Sequence, residues 1–185
     1  MKVTPPAARP GGPPIWLGGY AETAVRRAGR LGDGYITDDV GPEEVRRYLS
    51  IAERGAREAG RDERTLALAL LQNVFVQRDG DAWATARHGV QHQYGAYRAW
   101  DVGHDTPHHD SLEPSVEDED ELRASTIAGT PDEVVRALRP SVVAFGDRPE
   151  FHLIVRLHYP GMDFETASRA MELFATEVLP ALEGS

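Results

Sequence analysis

At 185 residues, with 41% hydrophobic and 27% charged residues, the chain has the size and composition of one ordinary globular domain. Twenty Lys and Arg stand against thirty Asp and Glu, and the resulting net charge of −10 argues against nucleic acid or an anionic membrane surface as partner. Cysteine is absent, which excludes disulfides, thiolate metal sites and cysteine nucleophiles. No apolar run approaches the roughly 18 residues of a membrane span, nor does a signal-peptide h-region open the chain, so the expected location is cytoplasmic.

Residues 1–12 carry three prolines and two glycines and read as an irregular lead-in. Pro13 and Pro14 then precede Ile15-Trp16-Leu17, a short apolar run ending in Gly18-Gly19 and expected to be a buried strand. From Ala21 to Leu31 the spacing turns helical, with Ala21, Ala24, Val25, Ala28 and Leu31 as the expected inner face. Gly32-Asp33-Gly34 breaks that helix, with Asp33 as a turn residue, and Tyr35-Ile36-Thr37 begins a second strand. Together these elements make one βαβ unit.

Pro42 with Glu43 and Glu44 starts the next helix, which runs to about Ala59 with Val45, Tyr48, Leu49, Ala52 and Ala56 inside. Leu66–Val76, LALALLQNVFV, is the longest apolar stretch and is read as a strand, because βα units flank it. A helix over 79–100 places Trp83, Ala86, Val90, Tyr94 and Tyr97 at helical spacing. Residues 101–123 break the rhythm and read as a polar loop or lid, with Glu117–Glu121 in solvent. Thr130-Pro131-Asp132-Glu133 starts a helix ending near Leu138-Arg139-Pro140. Phe151–His158 is the last strand, and 163–182 form a closing amphipathic helix through Ala167, Ala170, Met171, Phe174, Val178 and Leu182. Four strands, each followed by helix, with a spare helix before the last strand, predict a parallel α/β sheet in one domain.

The stretch PPIWLGGYAETAVRRAGRLGDGYIT at 13–37, then GTPDEVVRAL at 129–138 and RLHYPGMDFETASRAMELFATEVLPAL at 156–182, resembles in order and spacing the luciferase-like family of flavin- or deazaflavin-dependent oxidoreductases. In that family such motifs belong to the last four βα units of a (β/α)8 barrel of the TIM type. The resemblance therefore implies half a barrel, completed by oligomerisation with a second copy of the chain or a separate N-terminal half, with a smaller open α/β sandwich as the third possibility.

A Gly-Gly turn at a helix start offers backbone donors to an anion. The resemblance implies that Gly18, Gly19 and Tyr20, with Thr37 at the next strand end, hold the phosphate of FMN or of the deazaflavin F420, unless the chain uses no cofactor. His158 and Arg156, at the C-terminal end of the last strand, are the candidate catalytic pair, with His158 suited to general acid/base work. His104, His108 and His109 with Asp105 and Asp110 have metal-ligand chemistry but no fixed-template spacing, so no metal is expected. No Gly-x-Ser-x-Gly elbow or Gly-x-Gly-x-x-Gly loop supports a hydrolase or a dinucleotide site. The leading expectation is a luciferase-like oxidoreductase or monooxygenase acting on a small molecule. The alternatives are a cofactor-independent cyclase or isomerase on the same fold, and a non-catalytic partner subunit.

Overall fold

The computed structural model describes residue 8 and residues 11–38, 40–100 and 116–184. Chain contacts divide it into two compact units, Met1–Leu70 with Phe145–Leu153, and Leu71–Ala144 with Ile154–Ser185. Strand and helix alternate through both. The sheet order is β1-β2-β3-β4, with β5 also on β3, giving five strands among the described residues where four were expected.

The first unit opens with β1 (Trp16–Gly18), α1 (Glu22–Leu31), β2 (Gly34–Asp38) and α2 (Pro42–Glu58). β1 and β2 are parallel, with Trp16 opposite Gly34 and Gly18 opposite Ile36. A 3-10 turn at Glu63–Thr65 leads into β3 (Ala67–Val76). The Ala67 N–H donates to the Asp33 carbonyl, and the Leu68 N–H to the Glu150 carbonyl just before β5 (Phe151–Arg156).

Two glycines set the distance between α1 and α2. A Cβ on Gly29 would lie 1.7 Å from the Ala52 carbonyl oxygen, and one on Gly55 would lie 2.2 Å from that of Arg26. Backbone therefore packs on backbone, and Val25, Ala28, Val45, Ala52 and Ala56 are buried around the contact. Leu31 is 70% exposed, against expectation: the buried positions of α1 are Val25, Ala28 and Gly29, and Leu31 falls outside that stripe. At the helix end the Arg61 guanidinium donates to the carbonyls of Gly29 at 2.8 Å and Gly32 at 2.6 Å. A cation there satisfies orphan carbonyls and complements the helix dipole.

The second unit carries the rest of β3, then α3 (Ala82–Trp100), α4 (Val116–Ser125), β4 (Thr126–Gly129) and most of α5 (Pro131–Phe145). β4 runs parallel to β3, with Asn73 opposite Thr126 and Val76 opposite Gly129. The expectation of a polar loop over 101–123 is thus corrected from Val116 onward. α4 holds its acidic run in place through Glu119, which accepts from the Trp83 indole at 3.3 Å and faces Arg87 at 3.9 Å, while Leu122 is buried. Residues 101–115, with His104, His108 and His109, lie outside the described residues.

α5 also runs past its expected end. Pro140 sits inside it, and Val134, Leu138, Ser141 and Phe145 continue one buried stripe through the proline. Burial of that stripe outweighs the hydrogen bond that Pro140 cannot make. The closing helix is α6 (Phe164–Leu173), a π segment (Phe174–Val178) and α7 (Leu179–Glu183). Pro180 lacks the N–H that would reach residue 176 in an α-helix, which accounts for the widened turn before it.

Candidate functional site

In the first unit, the C-terminal ends of β1 and β2 are tied by two phenols. The buried Tyr35 hydroxyl donates to the Gly19 carbonyl at 3.0 Å, and the Tyr20 hydroxyl donates to Asp38. Burial is the largest influence on Tyr35 and pushes its phenol up to about 12, so it stays a neutral donor across physiological pH. On the other side of the turn, the Asp33 carboxylate accepts from the Ile15 N–H at 2.9 Å, and the Asp33 N–H donates back to the Ile15 carbonyl at 2.7 Å. Asp33 is the expected turn residue and also anchors the entry to β1.

Gly19 has φ +140, a conformation open to glycine and strained for other residues, and a Cβ there would sit 2.9 Å from the Ala24 Cβ. The turn feeds α1, whose N-cap Ala21 supplies no side-chain cap. The Ala24 N–H donates to the Ala21 carbonyl at 2.8 Å, which leaves the amides of Glu22 and Thr23 for water or an acceptor ligand. Glu22, in that first turn, faces Arg54 at 3.9 Å.

Thr37, two residues beyond Tyr35 and so on the same face of β2, is 3% exposed; its buried Oγ1 lies beside the Tyr35 phenol and makes no hydrogen bond of good geometry among the described residues. A buried hydroxyl in contact with one phenol keeps hydrogen-bonding capacity to spare, which a ligand oxygen can use. The residues therefore fit the phosphate end of a cofactor: a glycine turn, an uncapped helix start and a buried hydroxyl with donor capacity to spare on adjacent strand ends. Of the four predicted cofactor residues, Gly18, Gly19 and Tyr20 form the turn and Thr37 closes β2.

The second unit holds the two residues predicted to be catalytic. Arg156, the half-buried last residue of β5, donates from Nη1 to the Asn73 Oδ1 at 3.2 Å. His158 is exposed two residues on. Tyr159 between strand and turn is fully buried, and its hydroxyl donates within 3.2 Å of the carbonyls of Val74 and Arg156. Asn73 was missed from sequence, although Gln72-Asn73 in the middle of the longest apolar run is the signal that marks it. Also unforeseen is an open cleft of about 440 Å³ lined by Thr85, His88, Gly89, His92 and the Tyr159–Met162 turn. Among the described residues no group of three or more His, Asp or Glu is placed to hold a metal ion.

Residues 2–148 match the family model of the luciferase-like monooxygenases, and the chain belongs to that family. A phthiodiolone/phenolphthiodiolone dimycocerosates ketoreductase of Mycobacterium tuberculosis is 28% identical over 106 residues, covering 45% of this chain and 27% of the relative. Among solved structures, the monooxygenase RslO1 from Streptomyces bottropensis is similar at a TM-score of 0.64 and 25% identity, over 96% of this chain and 50% of that one. The coenzyme F420 dependent tetrahydromethanopterin reductase from Methanopyrus kandleri aligns at a TM-score of 0.61 and 20% identity, over 91% and 51%. EDTA monooxygenase from Chelativorans sp. BNC1 aligns at 0.59 and 19%, over 98% and 47%. The chain thus spans about a quarter of the curated relatives it matches and about half of these solved structures. The α/β fold of parallel strands and alternating helices is that of the luciferase-like TIM barrels, over about half of their length.

Proposed function

We propose that this chain carries the phosphate-binding part of a flavin- or deazaflavin-dependent oxidoreductase of the monooxygenase type. The observation that carries the reading is the Thr37 hydroxyl, buried beside the Tyr35 phenol at the end of β2, on the strand that is bonded through Tyr35 to the Gly18-Gly19 turn. In this reading the first amides of α1 and the turn backbone bind the phosphate, and Thr37 donates to it. Tyr35 fixes the Gly19 carbonyl and keeps that peptide plane from rotating. When bound, FMN or F420 supplies the hydride or oxygen chemistry. His158, exposed two residues beyond β5, is the candidate for moving a proton.

The reading includes assembly. Family relatives are about twice as long as this chain, and Ile15, Leu31, Val143 and Phe164 are each at least 59% exposed. A second copy, or a chain supplying further barrel strands, would cover apolar surface and wall the cofactor ring. The test is an absorbance spectrum recorded across a gel-filtration peak with light scattering. Flavin or deazaflavin absorbance co-eluting with an oligomer supports the reading. A colourless single-chain species that resists dilution and takes up neither cofactor refutes it.

A further inference from the structure

Arg156 lies where an arginine needs an anion, and among the described residues none supplies one. Its guanidinium is half-buried and carries five N–H donors, of which one reaches a neutral amide oxygen, that of Asn73, at 3.2 Å. Among the described residues no carboxylate forms an ion pair with it, in a chain that has ten more acids than bases. A cation removed from water without a counter-charge is costly, and proteins resolve that cost with a partner or a ligand.

The neighbouring residues fit an oxyanion. Asn73 is 1% exposed, and by holding Arg156 it fixes the plane of the guanidinium. Thr126 is the register partner of Asn73 across the parallel β3–β4 pair, so the two side chains share a face. The Thr126 Oγ1 is buried and has no hydrogen-bond partner among the described residues. The remaining guanidinium donors and this hydroxyl, each next to Asn73, match in chemistry a carboxylate or phosphate oxygen pair. Arg156 also closes β5 at its C-terminal end, the end at which sites of parallel α/β barrels form.

We propose that Arg156, held in plane by Asn73 and flanked by Thr126, binds the oxyanion of the substrate, a small molecule bearing a carboxylate or a phosphate. As an oxyanion site it stands on the geometry of the second unit alone; as a substrate anchor it rests on the oxidoreductase reading above.

The experiment is a thermal-shift and calorimetric titration of the full chain with sodium acetate and with inorganic phosphate, against chloride at matched ionic strength. The wild type is expected to gain melting temperature with an oxyanion and not with chloride. Arg156→Gln is expected to lose the acetate shift, Arg156→Lys to keep part of it, and Thr126→Val to weaken it a few-fold. Arg169→Gln, at an exposed site paired with Glu165, is expected to leave it unchanged. Without ligand, Arg156→Gln should melt at or above the wild-type temperature, because it removes an uncompensated charge.

A ligand-free Arg156→Gln melting well below wild type, with Arg156→Lys restoring it, assigns the arginine a structural role and overturns the proposal. So does an acetate shift that survives Arg156→Gln, or a wild type insensitive to both anions. The larger Arg156-dependent shift, acetate or phosphate, names the substrate's charged group. A parallel FMN titration separates the two readings. An Arg156-dependent acetate shift without FMN binding leaves the oxyanion site standing and removes the flavin reading. FMN binding without an acetate shift does the reverse.

Discussion

Replacing Gly29 by alanine tests the helix packing that positions the candidate phosphate turn. The new Cβ would lie 1.7 Å from the Ala52 carbonyl oxygen, 2.6 Å from its carbon and 3.0 Å from the Ala56 nitrogen. Contacts under 3.0 Å are essentially unobserved for a Cβ, and the atoms in the way are backbone. The axes of α1 and α2 must therefore separate by more than an ångström, which loosens the packing around Val25, Ala28, Ala52 and Ala56. Overpacking of this kind costs about 1–3 kcal/mol and occasionally more. A glycine-to-alanine change inside a helix returns roughly 1 kcal/mol. Since the obstruction is rigid, a net loss of about 2 kcal/mol is expected, or roughly 4–8 °C in melting temperature for a chain of this length. Urea unfolding followed by circular dichroism reads it as a lower midpoint at constant slope. Gly41→Ala is the control, because nothing lies within 4 Å of a Cβ there. A Gly29→Ala protein as stable as wild type, or more stable, would refute the close backbone contact.

Two further outcomes follow from particular contacts. A Cβ on Gly89 would sit 2.5 Å from the Tyr159 Cβ and 2.8 Å from the Pro160 carbonyl, so Gly89→Ala should cost about 1–3 kcal/mol, read in the same urea assay. The Asp163 carboxyl is held below its usual range, first by the Thr166 N–H it caps and then by the Thr166 hydroxyl, and Glu133 likewise by the N–H and hydroxyl of Thr130. Lowered folded-state values mean stability that is present above the ordinary carboxylate range and lost as pH falls through the folded ones. Asp163→Asn with Glu133→Gln should flatten the acid limb of a melting-temperature profile, and an unchanged acid limb would contradict the capping assignment.

Much of the alternation was legible because prolines and glycines bracket the apolar runs. Pro14 and Gly18 frame β1, Gly34 opens β2, and Pro42 begins α2 at the residue read from sequence. What was not legible depended on distant partners. β4 is a four-residue strand that exists through its register with Asn73–Val76. The acidic run of α4 looks solvent-bound until Trp83 and Arg87 meet Glu119. α5 passes Pro140 because Phe145 has a buried place beyond it. At the candidate site, the glycine turn and the helix start after it were legible because Gly18-Gly19 ends an apolar run and helical spacing follows, while a binding role for Thr37 rests on the family resemblance. That Tyr35 ties Gly19, or that Asn73 holds Arg156, depends on contacts between residues 16 and 83 positions apart.

The central claim is that the Gly18–Tyr20 turn with Thr37 holds a cofactor phosphate, and titration of FMN and of F420 into the wild type and Gly19→Val tests it most directly. Valine at position 19 meets both the φ of +140 and the Ala24 Cβ at 2.9 Å, so it should distort the turn backbone. The circular dichroism of the variant establishes that it folds before the titration is read. The wild type is expected to bind one of the two cofactors, weakly unless assembly walls the ring, and Gly19→Val to weaken this at least about tenfold, near 1.4 kcal/mol. Equal binding by wild type and variant, or no binding of either cofactor at millimolar concentration, would contradict it.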